Sequence, residues 1–334
     1  MQEQQEITAQ SFLTATGVSM LPARERVGLT IEGSDAKDAL NRVCEAEDAG
    51  VRQVWMTMGG AGRSDTLTFY AAAAIETSKI RLGTSIVQIY PRHPLVMAQQ
   101  ALAVNDLAPN RLRLGVGTSH RHTTEQSFGI KMHSPISYLR EYVSVLRGAL
   151  VEGKVSHHGK FFNVEFTSQR KVPIPILVAA LGEKAFRNAG EISDGAISWL
   201  CPIPYLLNKA RPAFREGANK RQHAPPLVAH VLVALSKDKA LVHAAGRKRI
   251  EFYSKSPFYV SMFRAAGFPV SEDGYGLDAL VDNLVVSGDD DFVKKRILDL
   301  LSKNGLDELM IGLVPVSKDE KSERKQLLDL IGNL

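Results

Sequence analysis

From Arg26 to the C-terminus, short apolar stretches of strand length alternate with longer stretches whose apolar residues recur at helical spacing. No other feature of the chain constrains its fold as strongly. Eight strand candidates stand out, at residues 27–31, 53–57, 80–86, 112–117, 176–180, 195–199, 227–235 and 308–313. Parallel strands in one sheet need long right-handed crossovers, usually helices, so eight such units predict a closed TIM (β/α)8 barrel of the α/β class. An open doubly wound sheet would have fewer strands and a clear switch point.

Helix signals fit this placement. Ser34 and Asp35 stand where a helix ending at Asp48 needs its cap, and Gly50 follows where a left-handed residue closes a helix. Between Pro94 and Leu107, the residues Val96, Met97, Leu102, Val104 and Leu107 share helical spacing, with Pro94 in the first turn. Two stretches interrupt the alternation after strand ends, at 120–135 and 255–288, and residues 157–166 predict a small hairpin around Gly159. The second interruption predicts either a lid or wall over a pocket or an extra helix packed on the barrel rim. One barrel domain, 25–334, follows an N-terminal arm, 1–24, that begins MQEQQEITAQ. That acidic and polar start differs from the positive charge and apolar stretch expected of a signal peptide, and no apolar run reaches membrane-spanning length. Two cysteines, Cys44 and Cys201, make no disulfide framework or metal cluster, which predicts a cytoplasmic setting. A net charge of +5 with scattered basic residues argues against nucleic acid and leaves a small molecule as the expected partner.

Closed parallel barrels bind ligands at the C-terminal ends of their strands. The fourth, in RLRLGVGTSH, ends on Gly117 and delivers Thr118, Ser119 and His120 into a loop. An imidazole titrates near neutrality and a carboxylate can orient it, so His120 with Glu125 is a candidate proton relay. His122 is expected to be an exposed loop residue, and no third ligand accompanies the two histidines for a metal. After the fifth strand, small Ala179 and Ala180 lead through Leu181 and Gly182 to Glu183, where a helix N-terminus can bind phosphate. An ordinary strand-to-helix turn has the same sequence. Thr84 and Ser85 end the third strand ahead of Tyr90, Arg92 and His93, the last two of which also suit a solvated loop. Trp55, Trp199, Phe258 and Tyr259 are candidate pocket walls, with buried packing the competing role for Trp199.

Four stretches between Glu45 and Ser198 then carry a resemblance: EAEDAGVRQVW, RLGTSIVQIYPRHP, NDLAPNRLRLGVGTSH and PIPILVAALGEKAFRNAGEISDGAIS. In this order they resemble the bacterial luciferase-like superfamily of flavin- and deazaflavin-dependent oxidoreductases, above all its methylenetetrahydromethanopterin reductase-like members. The resemblance implies a flavin or deazaflavin ring at the barrel mouth. Its holders would be Thr57, Ser85, Ile86, Gly117, Thr118, Ser119, Ala179, Ala180, Leu181, Gly182, Glu183 and Trp199, with Glu183 turned away from the phosphate. It also implies a non-proline cis bond between Ser85 and Ile86, and a homodimer to which the helix from Pro94 to Leu107 contributes.

One departure matters. Many deazaflavin-dependent members carry an acidic residue followed by histidine at the second strand end, where this chain has WMTMGGAGRSD. Thr57 can donate a hydrogen bond, but neither it nor Met58 can act as a base at neutral pH. This argues against the sugar-phosphate dehydrogenase branch, and proton delivery is then expected from elsewhere in the site, where His120 is the best remaining candidate, from solvent or from the substrate itself. The resulting expectation is hydride transfer with coenzyme F420. The alternatives are an FMN-dependent monooxygenase and a barrel that binds a cofactor without turnover.

Overall fold

Side chains alternate between the two faces of a strand, and closure of eight strands turns one face inward and the other toward the helices. The computed structural model, which describes residues 21–57, 62–221, 224–271 and 274–334, shows this sorting. Its strands are β1 (Val27–Ile31), β2 (Gln53–Met56), β3 (Arg81–Thr84), β4 (Leu112–Gly117), β5 (Ile176–Ala179), β6 (Gly195–Ile197), β7 (Leu227–Ala234) and β8 (Glu308–Leu313). Each pairs in parallel with the next, and β8 pairs with β1 to close the barrel.

Inward positions form layers. At the N-terminal end Gln53, Arg113 and Glu308 meet: Arg113 Nη1 donates to Gln53 Oε1 at 2.8 Å, and its Nη2 donates to Glu308 Oε1 at 3.0 Å. Above them Trp55, Leu177, Ile197, Val228 and Met310 fill the barrel as a cluster separate from the strand–helix core. Gly83 leaves room for the indole, since a Cβ there would come 2.4 Å from Trp55 Cε3. Trp55 is therefore a fully buried plug and not a pocket wall. Counting onward by twos brings Thr57, Ser85, Gly117, Ala179, Trp199 and His230 to the C-terminal mouth.

Two strand ends depart from the simple pattern. β3 stops at Thr84, the Ser85–Ile86 bond is cis as the resemblance implied, and Val87–Gln88 then pairs with the end of β4. β6 pairs with β7 over only Leu227↔Ala196 and Val228↔Ile197, and beyond these Val285–Ser287 takes the same edge of β7. Ser198 N still donates to the Val228 carbonyl at 3.0 Å, and Trp199 and Leu200 then turn over the mouth.

The helices follow their caps. The Asp35 side chain accepts from Asp38 N at the start of Ala36–Asp48, and Gly50 has φ 88° beyond its end. Pro94–Leu107 lies as expected, but its cap is His93, whose Nδ1 accepts from Leu95 N at 3.2 Å. Arg92 pairs with Asp65, itself the cap of Thr66–Glu76. Arg92 and His93 thus fix helix starts. The expected hairpin joins Lys154–His158 to Asn163–Thr167. The 255–288 interruption contains the helices Pro257–Ala265 and Leu277–Leu284 ahead of Val285–Ser287. Among the described residues, no helix is long and apolar enough to cross a membrane.

Candidate active site

A cavity of about 770 Å3 opens at the C-terminal mouth of the barrel. Its β3–β5 side is small and polar. Ser85, Ile86, Gln88, Thr118, Ser119, Ala179, Ala180, Leu181, Gly182 and Glu183 line it there, together with Thr57 from the end of β2. Gly117 lies just beneath, where a Cβ would come within 3.0 Å of Ala179 Cβ and 3.2 Å of Ile86 Cγ1. The absence of that Cβ keeps the floor low enough for a flat ring to approach the backbone.

Three observations test whether this wall fits a flavin-type group. Among the described residues, Ser85 Oγ and Gln88 Oε1 are buried without a hydrogen-bond partner, a costly state that a ligand's polar edge would relieve. Gly182 is the cap of the helix Glu183–Ile192 and offers no side chain to its first-turn amides, and a Cβ placed on it would meet nothing within 4 Å. Those amides and the helix dipole favour an anion. The turn is also braced, because the Tyr205 hydroxyl donates to the Leu181 carbonyl at 3.1 Å. The residues present fit a ring with a phosphate-bearing side chain. Glu183 is exposed, with its carboxylate 3.8 Å from Lys209 Nζ.

The opposite wall is aromatic. Trp199 lies flat on His230, with ring centroids 3.8 Å apart and planes 2° from parallel. The stack is fixed from behind: His230 N donates to Ser198 Oγ at 3.2 Å, and Leu200 N donates to His230 Nδ1 at 3.4 Å. Burial, with the nearby Arg249 charge, pushes the His230 imidazole well below its usual value, so it props Trp199 as a neutral ring. The helix Pro257–Ala265 contributes Phe258, Tyr259, Ser261, Met262 and Ala265, which makes the second interruption a wall of the cavity.

His120 joins this wall. Its ring lies 5.1, 5.9 and 5.7 Å from the rings of Phe252, Tyr253 and Tyr259. Burial first, and the charge of His122 second, lower its pKa, which keeps the imidazole unprotonated at neutral pH.

The structure does not bring Glu125 to His120. Glu125 pairs with Arg121 at 2.6 Å and accepts from Met132 N at 3.1 Å, which ties down its own loop. A carboxylate already engaged by a guanidinium and an amide is not free to orient an imidazole. His122 is exposed, and Met58 lies outside the described residues.

Among the cavity residues that strand ends do not point to are Gln88, Glu32 and Arg249. Glu32 continues the inward face of β1 from Gly28 and Thr30, so counting by twos past the strand end finds it. Arg249 sits on the helix Lys239–Ser254 and meets Glu32 only through tertiary folding.

The luciferase-like monooxygenase family matches residues 16–308 of the chain. A protein of Mycobacterium tuberculosis named as a coenzyme F420-dependent oxidoreductase is 27% identical over 300 residues, covering 76% of this chain and 85% of that protein. Among solved structures, the coenzyme F420-dependent tetrahydromethanopterin reductase from Methanopyrus kandleri superposes with a TM-score of 0.73 at 21% identity, covering 92% of this chain and 97% of that one. The oxygenating constituent of 3,6-diketocamphane monooxygenase from Pseudomonas putida, in complex with FMN, gives 0.68 at 18% identity, covering 92% and 96%. With the barrel fold shared and the family matching most of its length, the chain belongs to the luciferase-like monooxygenase family.

Proposed function

We propose that this protein is a coenzyme F420-dependent oxidoreductase that transfers a hydride to or from a small organic substrate at the barrel mouth. The observation that carries the reading is the wall from Ser85 to Gln88 and from Ala179 to Glu183, where orphaned polar atoms stand beside a capless helix N-terminus. Similarity to a relative named for coenzyme F420 supports this cofactor over FMN. When bound, the deazaflavin exchanges two electrons with a substrate as hydride and reacts little with oxygen.

The protein's own part is positioning and proton handling. Ser85, Gln88 and Thr118 offer hydrogen bonds to polar groups, the Gly182 turn takes the phosphate, and Ile86 with Gly117 sets the height of the floor. Trp199, Phe258 and Tyr259 exclude water from the remaining space and hold an apolar substrate body. His120, uncharged and facing that space, is the base that takes a proton as an alcohol becomes a carbonyl.

Anaerobic incubation with reduced coenzyme F420 and a panel of aromatic enones and ketones tests this. The expected result is return of the oxidised deazaflavin band together with reduced organic product. Turnover that appears only with reduced FMN and oxygen would overturn the reading in favour of a monooxygenase.

A further inference from the structure

A second cavity, of about 420 Å3, lies beside the first, between the ends of β1 and β8 and the helices Lys239–Ser254 and Glu320–Gly332. Among the described residues, the two cavities share Glu32 and Arg249 and no other lining residue. Arg249 Nη1 donates to Glu32 Oε2 at 3.2 Å and Nη2 donates to Oε1 at 2.5 Å, so this pair is the partition between them.

Charge is unevenly spread on the two sides. Arg249 is the one Lys or Arg side chain among the described residues lining the larger cavity. The smaller one is lined by Arg42, Lys248, Arg249 and Arg324 against the carboxylates of Glu32 and Glu320. Arg42 is paired with Asp38 and Arg324 with Glu45, whereas Lys248 has no ion-pair partner among the described residues. A guanidinium has five N–H donors. Glu32 takes two from Arg249, and its Nε–H has no acceptor among the described residues.

We propose that Arg249 anchors an oxyanion group of the substrate, a carboxylate or a phosphate, and that the smaller cavity receives that end of the molecule. Barrel geometry supports the direction. β3 to β5 carry the polar cofactor wall, and in a closed ring of eight strands β8 and β1 lie across from them. A ligand extending away from the cofactor wall, past Trp199 and Tyr259, therefore arrives at Arg249. Glu32 preorients the guanidinium fork, and Lys248, without an ion-pair partner among the described residues, adds a positive charge to the smaller cavity. The substrate class is thus an apolar body that ends in an acid. This rests on the reading of the larger cavity as the cofactor and substrate chamber.

Calorimetric titration of the cofactor-free protein with phenylbutyrate, phenylpropyl phosphate and the neutral phenylbutyramide tests the assignment. The expected result is that at least one acid binds roughly tenfold more tightly than the amide, and which acid does so separates carboxylate from phosphate recognition. Arg249→Met is expected to bind acids and amide alike, with amide affinity unchanged. Glu32→Gln is expected to widen the preference several-fold, because the anion then has Arg249 to itself. Equal binding of acids and amide by the unaltered protein, no binding of any, or a preference that persists in folded Arg249→Met overturns the proposal. Should Arg249→Met fail to fold, an unwidened preference in Glu32→Gln overturns it as well. Coenzyme F420 is titrated separately: its failure to bind counts against the cofactor reading alone, while an acid preference that depends on Arg249 upholds the anchor.

Discussion

Replacing His120 with glutamine is expected to lower turnover by about a hundredfold to ten-thousandfold, the usual contribution of a positioned general acid or base. His120 sits in a box of three aromatic rings at the cavity edge, and among the described residues no carboxylate hydrogen-bonds to it. The effect should carry a pH signature. Burial and His122 lower the folded-state pKa below 6.5, so the proton leaves His120 as pH rises through that lowered value and the base form prevails above it. In the direction that takes a proton from substrate, kcat/KM is expected to climb with pH and to reach its plateau before neutrality. In the opposite direction the same group must be protonated, and the rate falls over that range. His120→Gln removes this step from both profiles. An unchanged profile would show that the proton travels by another route.

Glu308→Ala is expected to destabilise the barrel by about 3–5 kcal/mol, because it leaves Arg113 as an uncompensated charge in the interior. Burial alone would raise the Glu308 pKa, but the Arg113 charge and hydrogen bond, with Arg81 and Gln53, overcome it and hold the carboxyl below its usual range. A carboxyl with a lowered folded pKa contributes stability that is present above its unfolded value and is lost as pH falls through the folded one. Urea unfolding across the acid range checks both points: Glu308→Ala should have the lower midpoint near neutrality and a flatter acid limb. The paired replacement Arg113→Met with Glu308→Leu should recover most of the loss, since it removes both charges together. Because the pair lies at the end of the barrel remote from the mouth, cofactor affinity at low temperature is expected to stay unchanged.

How far the sequence disclosed this molecule depended on which interactions fix each part. β4 and β8 lie where their apolar runs predict them, since nearly every residue in them packs and the flanks are polar or turn-forming. Val285–Ser287 was not legible, because a three-residue strand that follows directly on a helix leaves no periodic pattern. Trp55 looked like a pocket residue from its nearness to a strand end, yet it stands one inward step below Thr57 and plugs the barrel instead.

The cofactor wall was legible for a local reason: strand ends and the first turn of the next helix place Ser85, Thr118 and Gly182 through backbone geometry. The substrate wall depends on tertiary approach. His230 beneath Trp199, and Arg249 against Glu32, bring together residues 31 and 217 positions apart, and no local spacing signals either contact. Glu125 shows the reverse error, for its closeness in sequence to His120 suggested a relay that Arg121 and the Met132 amide forestall.

The central claim, a chamber whose β3–β5 wall holds coenzyme F420, is tested most directly by equilibrium titration of the purified protein with coenzyme F420 and with FMN, in competition. Quenching of Trp199 fluorescence supplies the readout, since Trp199 lines the chamber and the other tryptophan, Trp55, is fully buried. The account predicts saturable quenching by coenzyme F420 that FMN does not displace and that Gly182→Asp, which sets a carboxylate against the phosphate, abolishes. Tight binding of FMN with none of coenzyme F420 would contradict it.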